Sequence, residues 1–353
     1  MLNDGSDLCN DAISASRSEA AVARSEIMGR VRAKYVHTDR DTELEAGLDF
    51  LIDRILMAQT CGKIKSEARA LVVVGESGAG KTTALHRLFS RHPAFPNYKQ
   101  LGCQLVTVRT PSPCTLMQLG RETLRILGYP LVAEKKQHII WEMVRAQLAR
   151  QNVRALHFDE VQNVTEIANV DEARIRDTFK SFLNDTETPI CLILSGLPSL
   201  VEFLQGDPQN RRRSRFVELK SLSGEDVEPM KKTMIALANV AGLILTPEMA
   251  GTVAPRLFHA GTYQFGIVIE LIHEAIDRAL RTGISTLTIE EFAAMFAAMT
   301  GNSFAANPFL AANWPEINCG SVLRHGDECM PPHPKPPQRR RKAAELSATG
   351  RTF

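Results

Sequence analysis

The stretch "ALVVVGESGAGKTT", residues 70–83, constrains the fold of this chain more than any other. It begins with a short apolar run, which is typical of a strand buried on both faces of a parallel sheet. The run leads into "GESGAGKT", a full match to the pattern G-x-x-x-x-G-K-[ST], and a helix is predicted over 81–89. In this order of strand, loop and helix, successive backbone N–H groups can surround phosphate oxygens. The sequence therefore predicts a phosphate-binding loop.

The predicted loop carries the residue types that a nucleoside triphosphate with Mg²⁺ requires. We expect Lys81 to reach the β- and γ-phosphates of ATP and Thr82 to offer its hydroxyl to Mg²⁺. The other expected contacts belong to the loop and the first helical turn: Gly75, Glu76, Ser77, Gly78, Ala79, Gly80 and Thr83.

Two later strands are predicted to end in polar side chains beside this loop. "RALHFDEV" (154–161) delivers Asp159 and Glu160, and "PICLILSG" (189–196) delivers Ser195. Ligands of open α/β sheets bind at the carboxyl ends of the strands. Asp159 is expected to hold Mg²⁺ through water, and Glu160 to polarise the attacking water as general base. Ser195 either bonds the γ-phosphate or the water, or simply closes the strand.

The pattern of elements predicts an α/β fold with a helical addition. Strands at 70–75, 104–110, 154–161, 189–196 and 216–219 alternate with helices, which favours a parallel sheet covered on both faces. After Ser221 the pattern is helical only, with cap residues before several helices. We expect a flexible segment over 1–35, either poorly ordered or a weak helix, and an α/β nucleotide-binding domain over 36–221. A helical lid over 222–300 and a Pro-rich, basic, disordered tail over 301–353 should follow.

Composition limits the classes of function. The formal net charge is only +2, so any nucleic-acid binding must come from local clusters of charge. The seven cysteines are irregularly spaced, which argues against a disulfide framework and a zinc site. The first residues lack the features of a signal peptide, and no run approaches the roughly 18 apolar residues of a membrane span. We expect a cytoplasmic protein without a membrane partner.

Two basic clusters leave alternatives open. In "QNRRRSRFVEL" (209–219) the four arginines can form a solvated surface, bind nucleic-acid phosphates, or lend a catalytic arginine to a neighbouring subunit. In the tail, "KPPQRRRK" can tether DNA or a partner, or can simply solubilise the chain end. Its charges are Lys335, Arg339, Arg340, Arg341 and Lys342.

These motifs, in this order, resemble those of AAA+ ATPases and, more narrowly, of the TniB/TnsC-type transposition ATPases. The resemblance covers roughly residues 35–300 and rests on "GESGAGKTT", "HFDEVQNV", "LILSGLPSL", "RRRSRFVEL" and the helices behind them. It implies an ATPase that forms a homo-oligomeric ring or filament on double-stranded DNA, works with a targeting protein and activates a DDE-type transposase, with ATP hydrolysis driving disassembly. It also implies a sensor role for Ser195 and an arginine finger at Arg215, with Arg213 as alternate.

One position departs from the AAA+ pattern. Where many lids begin with an arginine, "AGTYQFGIVIELI" offers Tyr263, Gln264 and Phe265. Either the lid senses nucleotide weakly, or Gln264 substitutes as an uncharged donor. Two other functions remain open: a helicase-loader-type AAA+ ATPase, and a signalling or secretion-associated nucleotide switch that binds only proteins.

Overall fold

The computed structural model describes residues 16–60, 68–164, 169–185, 189–205, 208–301 and 306–320. Within them, five strands form one parallel sheet, as predicted. The strands are β1 (Ala70–Val74), β2 (Leu105–Arg109), β3 (Ala155–Asp159), β4 (Cys191–Gly196) and β5 (Ser214–Glu218). Their order in the sheet is β2-β3-β4-β1-β5, and every residue of β1, β3 and β4 is buried. The apolar runs are therefore strands covered on both faces.

Seven helices accompany the sheet in the described residues. They are α2 (Asp39–Thr60), α3 (Lys81–Arg91), α4 (Leu116–Ile126), α5 (Gln137–Arg150), α6 (Asn169–Asn184), α7 (Ser199–Gln205) and α8 (Pro208–Arg213). A capping box sets the start of α4. The Thr115 hydroxyl accepts from the Gln118 N–H at 3.2 Å, and the Gln118 side-chain oxygen accepts from the Thr115 N–H at 2.9 Å. One continuous apolar core runs from Leu44 to Leu219 between these helices and the sheet.

A helical region follows the sheet, as predicted. It consists of α9 (Val227–Val240), α10 (Pro247–Ala260), α11 (Phe265–Thr282) and α12 (Ile289–Thr300). Thr246 caps α10, which has proline at its first position, and α11 ends at Gly283 with φ 72°. This region has its own apolar core, and Leu222 is the first residue after the sheet to join it. We propose a domain boundary near residue 221 for that reason.

Of the two structures expected for residues 1–35, a poorly ordered segment or a weak helix, the second half of the segment has the helix. Residues Glu19–Ala33 form a helix, α1, that packs on α9 and α11 of the lid. Met28 and Val31 are buried there, and Arg24 and Arg32 pair with Asp277 and Glu274 at 3.2 and 3.0 Å. These partners lie some 240 residues along the chain, so the small, polar sequence of α1 did not indicate them. Residues 1–15 lie outside the described residues.

The expectation of disorder from residue 301 is wrong in part. Phe309 is buried between Phe292 and Phe296, with ring centroids 5.8 and 6.0 Å away, and Asn307 donates to the Ala293 carbonyl at 2.7 Å. The contacts of Phe309 and Asn307 thus hold a segment whose composition predicts disorder. The basic cluster at 335–342 lies outside the described residues. No helix in the described ranges has both the length and the apolar character to cross a membrane.

Candidate nucleotide site

The loop between β1 and α3 has the geometry that its glycines predict. Gly78 and Gly80 have φ of 78° and 88°, the left-handed region that side chains disfavour, and Gly80 is the residue from which α3 starts. A Cβ on Gly75 would meet the Leu219 carbonyl at 3.0 Å. The helix α3 starts directly at this loop and is 11 residues long, so the positive end of its dipole lies at the loop. The loop can therefore receive an anion of phosphate type.

Lys81 lies inside this loop rather than on the surface. Only 6% of its area is exposed, and its Nζ donates to the carbonyls of Gly75 and Glu76 at 2.8 and 3.0 Å. Burial lowers the pKa of Lys81, an effect that the carboxylates of Glu160, Asp159 and Glu76 oppose. The ammonium, with its two carbonyl partners, therefore places a positive charge at the position where phosphate oxygens would bind.

Asp159 joins the loop to the neighbouring strands. It ends β3 with 3% exposure, and Thr82 donates its hydroxyl to one carboxylate oxygen at 2.8 Å. Ser195, at the end of β4, donates to the other oxygen at 2.5 Å. Hydroxyl and carboxylate oxygens suit Mg²⁺, which proteins hold through one or two such ligands together with substrate phosphates and water. The pair Thr82 and Asp159 therefore fits a magnesium ion.

Ser195 is oriented toward Asp159 in this structure. Its side chain is fully buried, and its single proton is used by the carboxylate. A direct contact with the γ-phosphate or the attacking water stays a prediction. The observed contact favours a role in holding Asp159.

Glu160 follows Asp159 with a backbone conformation unusual for a residue with a side chain. Its φ is 59°, so the backbone turns away from the direction of β3 at this residue. The Gln162 amide donates to its carboxylate, while the Gln162 carbonyl accepts from the Leu197 N–H at 3.2 Å. Glu160 is therefore held between the ends of β3 and β4, close to Lys81.

The arginines of 211–215 do not join this site. In the register of β1 and β5, Arg215 pairs with Leu71 and Glu218 with Val74. Three residues of strand, about 10 Å at about 3.3 Å per residue, thus separate Arg215 from the loop end of the sheet. Arg213 donates to the Leu183 carbonyl and to Asn184, and Arg215 lies over the Phe50 ring, 5.7 Å from its centroid. Neither reaches the loop of its own subunit.

The start of α11 lies directly on the phosphate loop. The Ile267 N–H donates to the Gly78 carbonyl at 3.3 Å, and a Cβ on Gly266 would meet that oxygen at 2.6 Å. Gln264 precedes the helix, is 7% exposed, and donates to the Ser221 hydroxyl at 3.0 Å. Its Oε1 is buried with no hydrogen-bond partner among the described residues. The lid thus brings a buried amide next to the loop.

A cavity beside the loop was not predicted from the sequence. It measures about 250 Å³ and lies between the chain at 34–40, the loop and the start of α11. Its walls include Tyr35, Ala79, Phe265 and Ile269, with Arg40 stacked over Phe265 at 5.1 Å. Apolar and aromatic walls of this kind accept a flat heterocycle. Its parts lie about 230 residues apart in the sequence, so no local motif marks it.

The contact between Gly266 and the loop gives a testable consequence. We expect Gly266→Ala to lower the free energy of unfolding by about 1–3 kcal/mol, because the added methyl collides with backbone rather than with a movable side chain. Gly251→Ala is the matched control, since its Cβ would meet only the end of Lys231 at 3.6 Å or more. That control should stabilise the protein by about 0.5–1 kcal/mol. Urea unfolding that shows both variants equally stable would contradict the contact.

Comparison with known proteins supports the fold. Residues 64–204 match the family model of the AAA domain. No curated protein matches the chain significantly. Similar solved structures include Cdc6p from Pyrobaculum aerophilum, at 15% identity and TM-score 0.54, covering 76% of this chain and 69% of that one. The Aeropyrum pernix ORC2 protein in ADPNP–ADP complexes shares 15% identity at TM-score 0.56, covering 75% of this chain and 69% of that one.

A third structure, Drosophila ORC bound to DNA, shares 16% identity at TM-score 0.52 and covers 83% of this chain and 68% of that one. At such identities the likeness concerns the fold. The parallel five-stranded sheet, the glycine-rich loop and the helical region agree with it. Residues 64–204 thus match the AAA domain model, and the chain has the AAA+ P-loop NTPase fold with a helical region after it.

Proposed function

We propose that this chain is an ATP-hydrolysing AAA+ regulator of DNA transposition that oligomerises on double-stranded DNA. The observation that carries the ATPase part is the convergence of Lys81, Thr82 and Asp159 at one end of the sheet. The DNA and transposition parts rest on the resemblance to TniB/TnsC-type ATPases. The fold likeness to ORC structures that were solved with DNA adds support to the DNA part.

In the proposed site, each residue acts through the atoms described above. The Lys81 ammonium leaves the two loop carbonyls to bind β- and γ-phosphate oxygens. Thr82 and Asp159 hold Mg²⁺, which supplies charge neutralisation at the phosphates when bound. Glu160 accepts a proton from the water that attacks the γ-phosphorus, as the bond to the β-phosphate oxygen breaks. The cavity at 34–40 receives the adenine ring, and Gln264 is the lid residue with a buried amide beside the loop.

The arginines support an oligomeric enzyme. Arg215 is exposed and lies away from its own loop, so a role on phosphate requires the nucleotide of a neighbouring subunit. Arg213 is the alternate, although it is bonded to the end of α6 within its own subunit. Arg211 and Arg212 are exposed and stand as candidates for DNA phosphates.

Mixed oligomers test the action of Arg215 between subunits. Arg215→Ala and Glu160→Gln should each lose ATP hydrolysis alone, since one lacks the finger and the other the general base. When the two variants are mixed, some interfaces combine an intact general base with an intact finger. In an equal, random mixture about a quarter of the interfaces have both, so we expect about a quarter of the wild-type rate, against a loss of about 10³- to 10⁵-fold where the finger is missing. A mixture no faster than its parents would contradict action between subunits.

The function as a whole is tested by hydrolysis and binding measured together. ATP turnover is followed with and without duplex DNA, and DNA binding is followed by fluorescence anisotropy with ATP, with ADP and without nucleotide. We expect DNA affinity to be highest with ATP and turnover to change when DNA is added. Pull-down with a DDE-type transposase and its targeting protein then tests the proposed partners. DNA binding that ignores the nucleotide would count against the proposal.

A helicase-loader-type AAA+ ATPase is the second candidate. The fold likeness to Cdc6p and ORC2, each over about three quarters of this chain, favours it. Both candidates share ATP and DNA, so capture of a replicative helicase rather than a transposase separates them. A switch with only protein partners would bind no DNA in any nucleotide state.

A further inference from the structure

A line of buried polar side chains runs through the sheet behind Asp159. His157 lies two residues before Asp159 on β3, so both point to the same face of the sheet. Thr107 on β2 is the direct register partner of His157. On the other side, β4 places Ile193 level with His157, and Ser195, two residues further on, contacts the imidazole. Tyr98 closes the line on the far side of Thr107. Three strands and one loop thus bring separate polar groups into one row.

Consecutive contacts connect this row to the magnesium ligand. Tyr98 Oη lies 3.1 Å from Thr107 Oγ1, which lies 3.2 Å from His157 Nδ1. His157 Nε2 lies 2.9 Å from Ser195 Oγ, and Ser195 donates to Asp159 at 2.5 Å. His157 and Ser195 are both fully buried, so their contact with each other is shielded from water, whereas Tyr98 and Thr107 are half-buried.

The number of protons fixes the direction of every bond. Ser195 has one proton and uses it on the carboxylate, so its oxygen must accept from His157 Nε2–H. A neutral imidazole with its proton on Nε2 presents Nδ1 as an acceptor, which Thr107 Oγ1–H fills. Thr107 in turn accepts from the Tyr98 hydroxyl. All donors therefore point toward Asp159, an arrangement in which each bond strengthens the next.

The geometry of the row favours a neutral imidazole. His157 is fully buried, and its two ring nitrogens contact hydroxyl groups rather than a carboxylate.

We propose that His157 is a positioning residue for the metal site, acting through Ser195 to hold the Asp159 carboxylate in the orientation that meets Thr82. The proposal rests on the proposed function, because it assumes that Asp159 and Thr82 hold a divalent cation. It assigns Thr107 a supporting part, since the hydroxyl of Thr107 selects the imidazole tautomer that can donate to Ser195. Metal sites depend on such outer partners nearly as much as on the ligands themselves.

The test measures Mn²⁺ affinity, by electron paramagnetic resonance, in the presence of a non-hydrolysable ATP analogue. His157→Leu removes the donor to Ser195 and should weaken Mn²⁺ binding about 10- to 100-fold. Nucleotide affinity without metal should stay within about twofold of wild type, because the loop and Lys81 are untouched. His157→Gln places an amide N–H near the position of Nε2 and should restore most of the Mn²⁺ affinity.

Three further variants separate positioning from plain stability. Phe158→Leu is the matched control, because Phe158 is buried on the other face of β3 and stacks on Phe179 at 5.2 Å. It should lower stability and leave Mn²⁺ affinity alone. Thr107→Val, which keeps the side-chain volume, should weaken Mn²⁺ binding in the same direction and serves if His157→Leu fails to fold. In a Ser195→Ala background, the effect of His157→Leu should disappear.

Each outcome decides between the proposals. If the wild type binds Mn²⁺ and His157→Leu binds it with the same affinity, the positioning role is overturned and the ATPase site stands. Where His157→Leu does not fold, an unchanged Mn²⁺ affinity in Thr107→Val has the same meaning. An undiminished His157→Leu effect in the Ser195→Ala background also overturns it, because His157 would then act by another route. Wild-type protein that binds no Mn²⁺ with the analogue overturns the proposed function and this inference together.

Discussion

Replacing Lys81 by alanine should abolish measurable ATP binding. The buried ammonium makes two bonds to loop carbonyls that phosphate oxygens would replace. Hydrogen bonds to charged groups contribute about 1.5–3 kcal/mol each, so the loss of two weakens binding about 10²- to 10⁴-fold. Titration calorimetry with ATP measures the change. The fold should survive, because alanine continues α3 well and removes a charge from a buried place.

Lys232→Ala provides the control for this prediction. Lys232 is exposed on α9 of the lid and contributes the same charge to the whole protein. Its replacement should leave ATP affinity unchanged. If Lys81→Ala also binds ATP with wild-type affinity, the phosphate loop has been assigned wrongly.

Glu160→Gln should stop hydrolysis while ATP still binds. The amide has the shape of the carboxylate but cannot accept the proton of the attacking water, and positioned bases contribute about 10²- to 10⁴-fold in rate. The contact with Gln162 can persist, because an amide oxygen also accepts from an N–H. Thr82 and Asp159 remain as the proposed Mg²⁺ ligands. We therefore expect an ATP-bound oligomer that stays on DNA.

Single-turnover hydrolysis and DNA dissociation, measured on the same sample, check this expectation. Glu218→Gln is the control, since Glu218 is an exposed carboxylate that lies level with Val74 at the same end of the sheet. It should hydrolyse ATP at the wild-type rate. Rapid turnover by Glu160→Gln would exclude Glu160 as the base.

Much of the fold could be predicted from the sequence because the signals are local. Three apolar runs of five or six residues are strands buried on both faces, and the glycine-rich loop needs positive φ at Gly78 and Gly80. The meeting of Thr82 with Asp159 follows from the rule that parallel strands end at one edge of a sheet. Each of these inferences depends on a few neighbouring residues and one topological rule.

The rest of the site depends on contacts between distant parts of the chain. The aromatic cavity, the docking of Gly266 on the loop and the row behind Asp159 each join residues far apart in the sequence. In the sequence, His157 is one residue of an apolar strand, and its contacts with Thr107 on β2 and Ser195 on β4 are seen only in the folded sheet.

Electron microscopy of the full chain with duplex DNA tests whether the protein assembles on DNA in an ATP-dependent way. The protein is compared with DNA alone, with a non-hydrolysable ATP analogue alone and with both together. We expect rings or filaments that require both the analogue and DNA, and we expect Lys81→Ala to form none. Assemblies that form equally well without nucleotide, or no assembly under any of these conditions, would contradict this expectation.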